Sequence, residues 1–316
     1  MGDTIQFPKP EDRLRHSAEK AYQAKDYLKA YHDYQEIYTE HSSFEINQSL
    51  VKCLQQLADF AKALEVADDF LDEYLQDPNG FVQIGHLLIL DGQYLQARKW
   101  IRLAEEFSVI SEAASENLVK ELDKVEEVQQ ILGLEDFLGK KQSLLAMDSS
   151  NQPVSGHTWH VFSQGLTKDQ FVSLMTELLP QLTNPFLLPK LVEELVRLGS
   201  SQQFELIDYM GDQRQIIPNQ LSLLREVPVF SQMRQAVNER IGQENPTLAE
   251  GILEELNDHF ALSYPFLPET QEIDRWVQSY IDEYQDLFAK SEPQAIDEEI
   301  QRKKTRLRKI LGSFSF

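Results

Sequence analysis

Over residues 11–107 apolar side chains recur at three- and four-residue steps, in short bursts separated by small or polar residues, which is the period of amphipathic helices rather than of strands. Leu14, Ala18, Ala21 and Tyr22 form one stripe, and Tyr31, Tyr34, Ile37 and Tyr38 form the next. Between them lies Lys25-Asp26-Tyr27-Leu28-Lys29-Ala30. That hexamer recurs as Ala58-Asp59-Phe60-Ala61-Lys62-Ala63 and as Gly92-Gln93-Tyr94-Leu95-Gln96-Ala97, with the closing alanines 33 and 34 residues apart. The pattern predicts two short helices per unit: the aromatic fills the corner where the chain turns, and the alanine lets the second helix approach the first closely. A repeat of this length marks stacked helical hairpins, in which each unit buries its apolar face against its neighbours.

These residues resemble the tetratricopeptide repeat (TPR) family, whose pattern is a small residue in the first helix, an aromatic after the turn, an alanine early in the second helix and an apolar residue a turn later. The units 11–43, 44–77 and 78–110 supply Ala18, Tyr27, Ala30 and Tyr34; then Val51, Phe60, Ala63 and Ala67; then Gly85, Tyr94, Ala97 and Ile101. Ile37, Phe70 and Ala104 take a fourth anchor position. The tryptophan and the closing proline of the strict pattern are missing. The resemblance covers about a third of the chain and implies a solenoid of helical hairpins whose first helices line a groove for a peptide.

Residues 111–132 continue the helical period through Ala114, Leu118, Leu122, Val125, Val128 and Ile131/Leu132, and predict a helix capping the third unit. The first domain is therefore expected to span 1–146. Met147 to Thr158, MDSSNQPVSGHT, has no apolar period and combines Ser, Asn, Gly, Pro and Asp, so it is expected to be the linker. In the remainder, 159–316, Asn184-Pro185 and Asn245-Pro246 each precede an apolar-acidic run, as expected where Asn caps a helix and proline takes its first position. Short β-prone runs flank Gly211-Asp212-Gln213 and predict a β-hairpin over about 203–217, ended by Pro218. Helices are expected near 167–182, 219–226, 229–242, 271–289 and 294–311. The expected class is all-α in the main: a TPR-like solenoid followed by a second helical domain containing one small β-hairpin.

Composition narrows the chemistry. Of 316 residues, 52 are acidic and 30 basic, for a formal charge of −22, which disfavours general binding to phosphate backbones, so no DNA partner is expected. No apolar run approaches the roughly 20 residues of a membrane helix, and Gln6 stands where an N-myristoylation signal needs Ser or Thr. A cytoplasmic location follows as the expectation. The single cysteine, Cys53, sits beside Val51 and Leu54 and reads as core. Glycine-rich phosphate loops, a nucleophile elbow and clustered metal ligands are missing from the sequence. His157 and His160 flank Trp159, which reads as an anchor for the linker. The acidic pairs Glu193/Glu194 and Glu254/Glu255 diverge on their helices and read as solvated. No enzyme activity, cofactor or metal is expected.

With the register of the resemblance, the first-helix slots of the groove are Arg15, Glu19 and Tyr22, then Gln48, Lys52 and Gln55, then Val82, His86 and Ile89. TPR proteins that clamp a chaperone's terminal carboxylate carry cations and asparagines at places held here by Arg15, Glu19, Ser49, Asn79 and Gln83, so that clamp is not expected. The expected role is a protein-binding scaffold or adaptor, whose partner is another protein or a peptide. Alternatives are a peptide-responsive regulator, or a ribosome- or RNA-associated factor acting through the last helix. There Arg302, Lys303, Lys304, Arg306, Arg308 and Lys309 follow Asp297, Glu298 and Glu299, with Ile296, Ile300, Leu307, Ile310 and Leu311 at helical steps. Acid first and base last suits the helix dipole. Such a helix either docks on its own acidic body or reaches an anionic partner. A second acidic run, Asp68, Asp69, Asp72, Glu73 and Asp77, reads as a solvated face.

Overall fold

The computed structural model describes residues 10–288 and 297–313. Among these the chain is mainly helical, with one two-stranded antiparallel sheet. Packing divides it into two units. The first runs to Leu134 and includes Ser163–Lys168; the second holds Glu135–Phe162 and the described residues from Asp169 on.

In the first unit, α1 (Pro10–Gln23) and α2 (Tyr27–Glu40), α3 (Phe44–Gln56) and α4 (Phe60–Asp68), and α6 (Pro78–Leu90) and α7 (Tyr94–Phe107) pair as successive hairpins, with the short α5 (Leu71–Gln76) after α4. The three hairpin turns share one geometry. Lys25, Ala58 and Gly92 are all left-handed, at φ 61°, 57° and 76°. The next amide donates back to the first helix each time: Asp26 to Ala21 O at 2.9 Å, Asp59 to Leu54 O at 3.0 Å, and Gln93 to Leu88 O at 2.8 Å. Such a closure satisfies carbonyls that the helix end leaves free. Asp26 and Asp59 also cap the following helix by accepting the amides of Lys29 and Lys62.

Close packing then rests on the alanines. Ala30, Ala63 and Ala97 are each 0 % exposed and Ala18 likewise, so these small side chains lie wholly within the packed interior. Ala63→Leu is expected to destabilise the first unit by about 1–3 kcal/mol, because added methylenes in a filled core force side chains and backbone apart. Urea unfolding followed by circular dichroism measures it, with Ala61→Leu on the exposed side of the same helix expected to be nearly neutral.

The second helix of the middle hairpin breaks between α4 and α5 at Asp69 and Phe70, beside the aspartate pair Asp68 and Asp69, which are poor helix formers. Asp69 accepts the Tyr38 hydroxyl at 2.7 Å, and Phe70 turns in beside Tyr38 and Phe44, at ring separations of 6.4 and 6.1 Å. Asp77 caps α6 by accepting the Gly80 amide at 2.9 Å. Two members of the acidic run are thus structural.

Beyond α7, α8 (Glu112–Leu132) packs on α6 and α7, and Gly85 leaves room for Leu118, whose methyls a Cβ there would meet at 3.1 Å. Leu118 and Leu122 are buried, whereas Val128, Ile131 and Leu132 are 54, 74 and 77 % exposed. The expected stripe therefore engages only over its first half. With 21 residues against 13 and 14 in α6 and α7, α8 overhangs the hairpin it covers. The segment Ser163–Lys168 fixes itself to this unit through Gly165 N to Gly92 O at 2.8 Å and Lys168 N to Glu126 Oε1 at 3.0 Å.

The rest of the chain supplies α9 (Leu134–Ser150), α10 (Gly156–Ser163), α11 (Lys168–Leu178), α12 (Leu187–Arg197), β1 (Phe204–Ile207), β2 (Gln213–Ile216), α13 (Pro228–Val237), α14 (Pro246–Ser263), α15 (Ile273–Phe288) and α16 (Glu298–Gly312). The hairpin pairs Phe204 with Ile216 and Ile207 with Gln213, and Gly211 takes φ 93° in its turn. Val229, Met233 and Val237 of α13, Ile252, Leu256 and Phe260 of α14, Trp276, Val277 and Tyr280 of α15, and Ile300 of α16 form one core.

The expected linker, 147–158, is helical at both ends: Met147–Ser150 close α9, and Gly156 opens α10. The packing division falls instead at residue 134, because 147–158 is tied within the second unit. Asp148 accepts the amides of Thr183 and Asn184 at 2.8 and 2.7 Å, and the Asn184 amide group donates to Met147 O and Gln152 O. Asn184 consequently opens a turn ahead of α12, while Asn245 caps α14 directly by accepting the Leu248 amide at 3.1 Å. The stretch 219–226, expected as a helix, makes only two single 3₁₀ turns, Pro218–Gln220 and Leu224–Glu226. Residues 294–296 of the expected last helix, Ala289 and Gln6 lie outside the described residues.

Candidate functional site

The three first helices, α1, α3 and α6, carry the expected groove positions. Arg15 Nη1 pairs with Glu45 Oε1 at 2.9 Å, joining α1 to α3. That hydrogen bond, opposed by desolvation, holds the Arg15 guanidinium above its ordinary value. Gln48 Nε2 donates to Asp77 Oδ2 at 3.2 Å, and Gln83 Nε2 donates to Gln55 Oε1 at 3.4 Å, joining α3 to α6. Glu19 and Lys52 remain exposed, and Tyr22 is half-buried against Tyr27 with its ring edge-on at 5.3 Å. Of the six positions on α1 and α3, Arg15, Gln48 and Gln55 are thus tied to neighbouring residues, Tyr22 leans on the core, and Glu19 and Lys52 are open to solvent.

The third helix contributes less than its register suggests. Ile89 is 3 % exposed and belongs to the core, so it presents nothing to a ligand. Val82 is half-buried against the same core. His86 Nδ1 lies 2.8 Å from Glu121 Oε2 on α8, so the capping helix occupies this slot. The sequence placed all three on the first-helix face without showing that α8 would close over it.

Beneath the face, Asn47 is fully buried although polar. Its amide group donates to Val66 O at 2.6 Å and to the Tyr38 hydroxyl at 3.2 Å, and its oxygen accepts from the Tyr74 hydroxyl at 3.0 Å. Every polar atom of the side chain is partnered, which is what permits it at a core position. Cys53 is 0 % exposed, and burial pushes its thiol up to about 11, away from thiolate reactivity.

No family model, curated protein or solved structure matches this chain. Its role has to be read from its own geometry. Among the described residues no helix is long and apolar enough to cross a membrane.

The basic helix, α16, docks within the second unit. Ile300, Leu307 and Ile310 are buried, and Lys304 is 0 % exposed. Lys304 Nζ lies 2.5 Å from Glu283 Oε2, donates to Ser279 O at 3.0 Å and Ser279 Oγ at 2.9 Å, and sits 4.3 Å from the centre of the Tyr280 ring. Arg308 reaches Glu255 at 2.5 Å and Glu283 at 2.6 Å, and Lys303 pairs with Glu299 at 2.8 Å. Burial lowers the Lys304 pKa, and the Glu283 contact only partly offsets it. For Glu283, desolvation is outweighed by its hydrogen bonds to Arg308 and Lys304, so its carboxyl falls below the usual range. Of the six cations expected to offer an external contact, Lys303, Lys304 and Arg308 are engaged by the protein's own acids; Arg302, Arg306 and Lys309 are exposed.

This cluster includes groups the sequence did not single out. His259 is 1 % exposed, with Nδ1 2.6 Å from the Tyr280 hydroxyl, and desolvation pushes its pKa down to about 4 despite the opposing Glu255 charge. Glu255, read as solvated from its place beside Glu254, has a side chain only 12 % exposed, and Glu194 is likewise buried. The i,i+4 pairs Glu255/His259 and Lys304/Arg308 were the available signal, but nothing in the sequence tells that the two helices face each other. His157 and His160 are exposed on α10, and Trp159 packs on Phe162 and Phe171 under the Lys190 ammonium at 4.8 Å.

Proposed function

We propose that the first unit is a TPR-type module and that the protein is a non-enzymatic cytoplasmic adaptor, receiving a segment of another protein on the face of α1 and α3. One observation carries this reading: three hairpins with the same left-handed turn, the same backward amide bond and a fully buried alanine at the same register. A repeated scaffold of this kind positions a row of exposed side chains without a cavity of its own, which suits an extended or helical peptide. Arg15, Glu19, Tyr22, Gln48, Lys52 and Gln55 are the contacts. They carry both charge signs, with aromatic area from Tyr22, so the partner segment is expected to be amphipathic and of mixed charge.

The test compares proteins captured from a native lysate by wild type, by Glu19→Lys/Lys52→Glu and by Lys62→Glu, the last altering an exposed cation on α4. The reading expects the first-helix variant to lose at least tenfold of one or more captured proteins that the Lys62 variant retains. Equal profiles for the three would contradict it.

A further inference from the structure

The second unit contains a pocket of about 430 Å³, within the range of small-molecule sites. The turn before α12, the hairpin turn, the end of α14 and the last turns of α16 enclose it. Leu182, Leu188, Leu262 and Ile310 give it an apolar lining, and Tyr209, Tyr264 and Phe266 add aromatic surface. Both tyrosines titrate well above neutrality because burial raises them, so they bring no charge.

Three acidic or basic side chains stand on the wall: Asp208, Arg306 and Lys309. Asp208 is already neutralised in place. Its Oδ1 accepts the amides of Met210 and Asp212 at 2.8 and 3.0 Å, and its Oδ2 pairs with Arg214 at 3.0 Å. The cations differ. Arg306 donates only its Nε, to Tyr209 O at 3.1 Å, which fixes the guanidinium at the hairpin while its Nη groups have no protein partner among the described residues. Lys309, one turn on and on the same helix face, has no carboxylate within pairing distance among the described residues. Helical spacing thus divides the cations of α16: Lys304 and Arg308 face the acids of α14 and α15, while Arg306 and Lys309 face the pocket.

We propose that this pocket binds a small organic carboxylate with an apolar body, the head held by Arg306 and Lys309 and the body against Leu182, Leu188, Leu262 and Ile310. In a chain of charge −22, two uncompensated cations beside an apolar lining select for an anion that is also hydrophobic. All of the lining residues belong to the second unit, so the proposal needs nothing from the peptide face.

Calorimetric titration of the full chain with decanoate tests this, with decyltrimethylammonium as the same tail bearing the opposite head and acetate as the head without a tail. The proposal expects saturable one-to-one decanoate binding, at least tenfold weaker in Lys309→Gln and in Arg306→Gln/Lys309→Gln, and unchanged in Lys303→Gln. Neither control ligand should bind comparably. Unaltered thermal unfolding of Lys309→Gln, an exposed position, separates loss of the site from loss of the fold. Absence of saturable decanoate binding, equal binding of the cationic amphiphile, or indifference to the Lys309 substitution in a folded variant would each overturn it.

Discussion

Glu283→Leu is expected to destabilise the second unit by roughly 3–5 kcal/mol, the magnitude seen when one partner of a buried ion pair is removed. Lys304 is 0 % exposed, and Glu283 is the carboxylate that faces its ammonium at 2.5 Å. Without it, the ammonium stays buried among Ser279 and the Tyr280 ring with no counter-charge, whereas Arg308 keeps Glu255. The double variant Glu283→Leu/Lys304→Met removes both charges and should recover at least half of the loss. Chemical unfolding of the four proteins of this cycle measures the coupling. A single variant as stable as wild type would show that the pair does not hold α16.

A second large effect concerns acidity. His259 titrates near 4 in the folded protein, below its ordinary value of 6.5, because burial disfavours the imidazolium. The unfolded chain therefore binds a proton at His259 that the folded chain refuses. Stability from this group is complete above pH 6.5 and declines as pH falls toward 4, by about 1.4 kcal/mol per pH unit at most and about 3 kcal/mol in all. Glu283, with its depressed pKa, loses stability in the same direction at lower pH. His259→Gln should flatten the decline between pH 6.5 and 4.5, measured as the unfolding midpoint in urea against pH. An unchanged slope would contradict the assignment of that proton to His259.

The repeated hairpins were the most legible part of the chain because their signal is local. Asp26 and Asp59 cap helices within three residues, and Ala30, Ala63 and Ala97 report a contact fixed by hairpin geometry. The β-hairpin was legible for the same reason, through Gly211 and the short β-prone runs beside it. What depends on distant packing was not. Ile89 and His86 share the periodicity of exposed groove positions, yet one is core and the other meets Glu121. Lys304 reads as one cation among six, and only the approach of α15 and α14 leaves it 0 % exposed. The expected linker misled because its turn-forming composition equally suits a loop held by Asp148 and Asn184 within one unit.

A protein received on the exposed side chains of α1 and α3, as proposed, lies within reach of a covalent probe placed there. A photoreactive phenylalanine analogue placed at Lys52, or in a separate protein at Lys62 on α4, and irradiated in native lysate reads this contact directly. Discrete covalent adducts are expected from position 52, with the captured protein joined through one short segment, and none of those adducts from position 62. Adducts of equal identity and yield at both positions, or none at position 52, would contradict it.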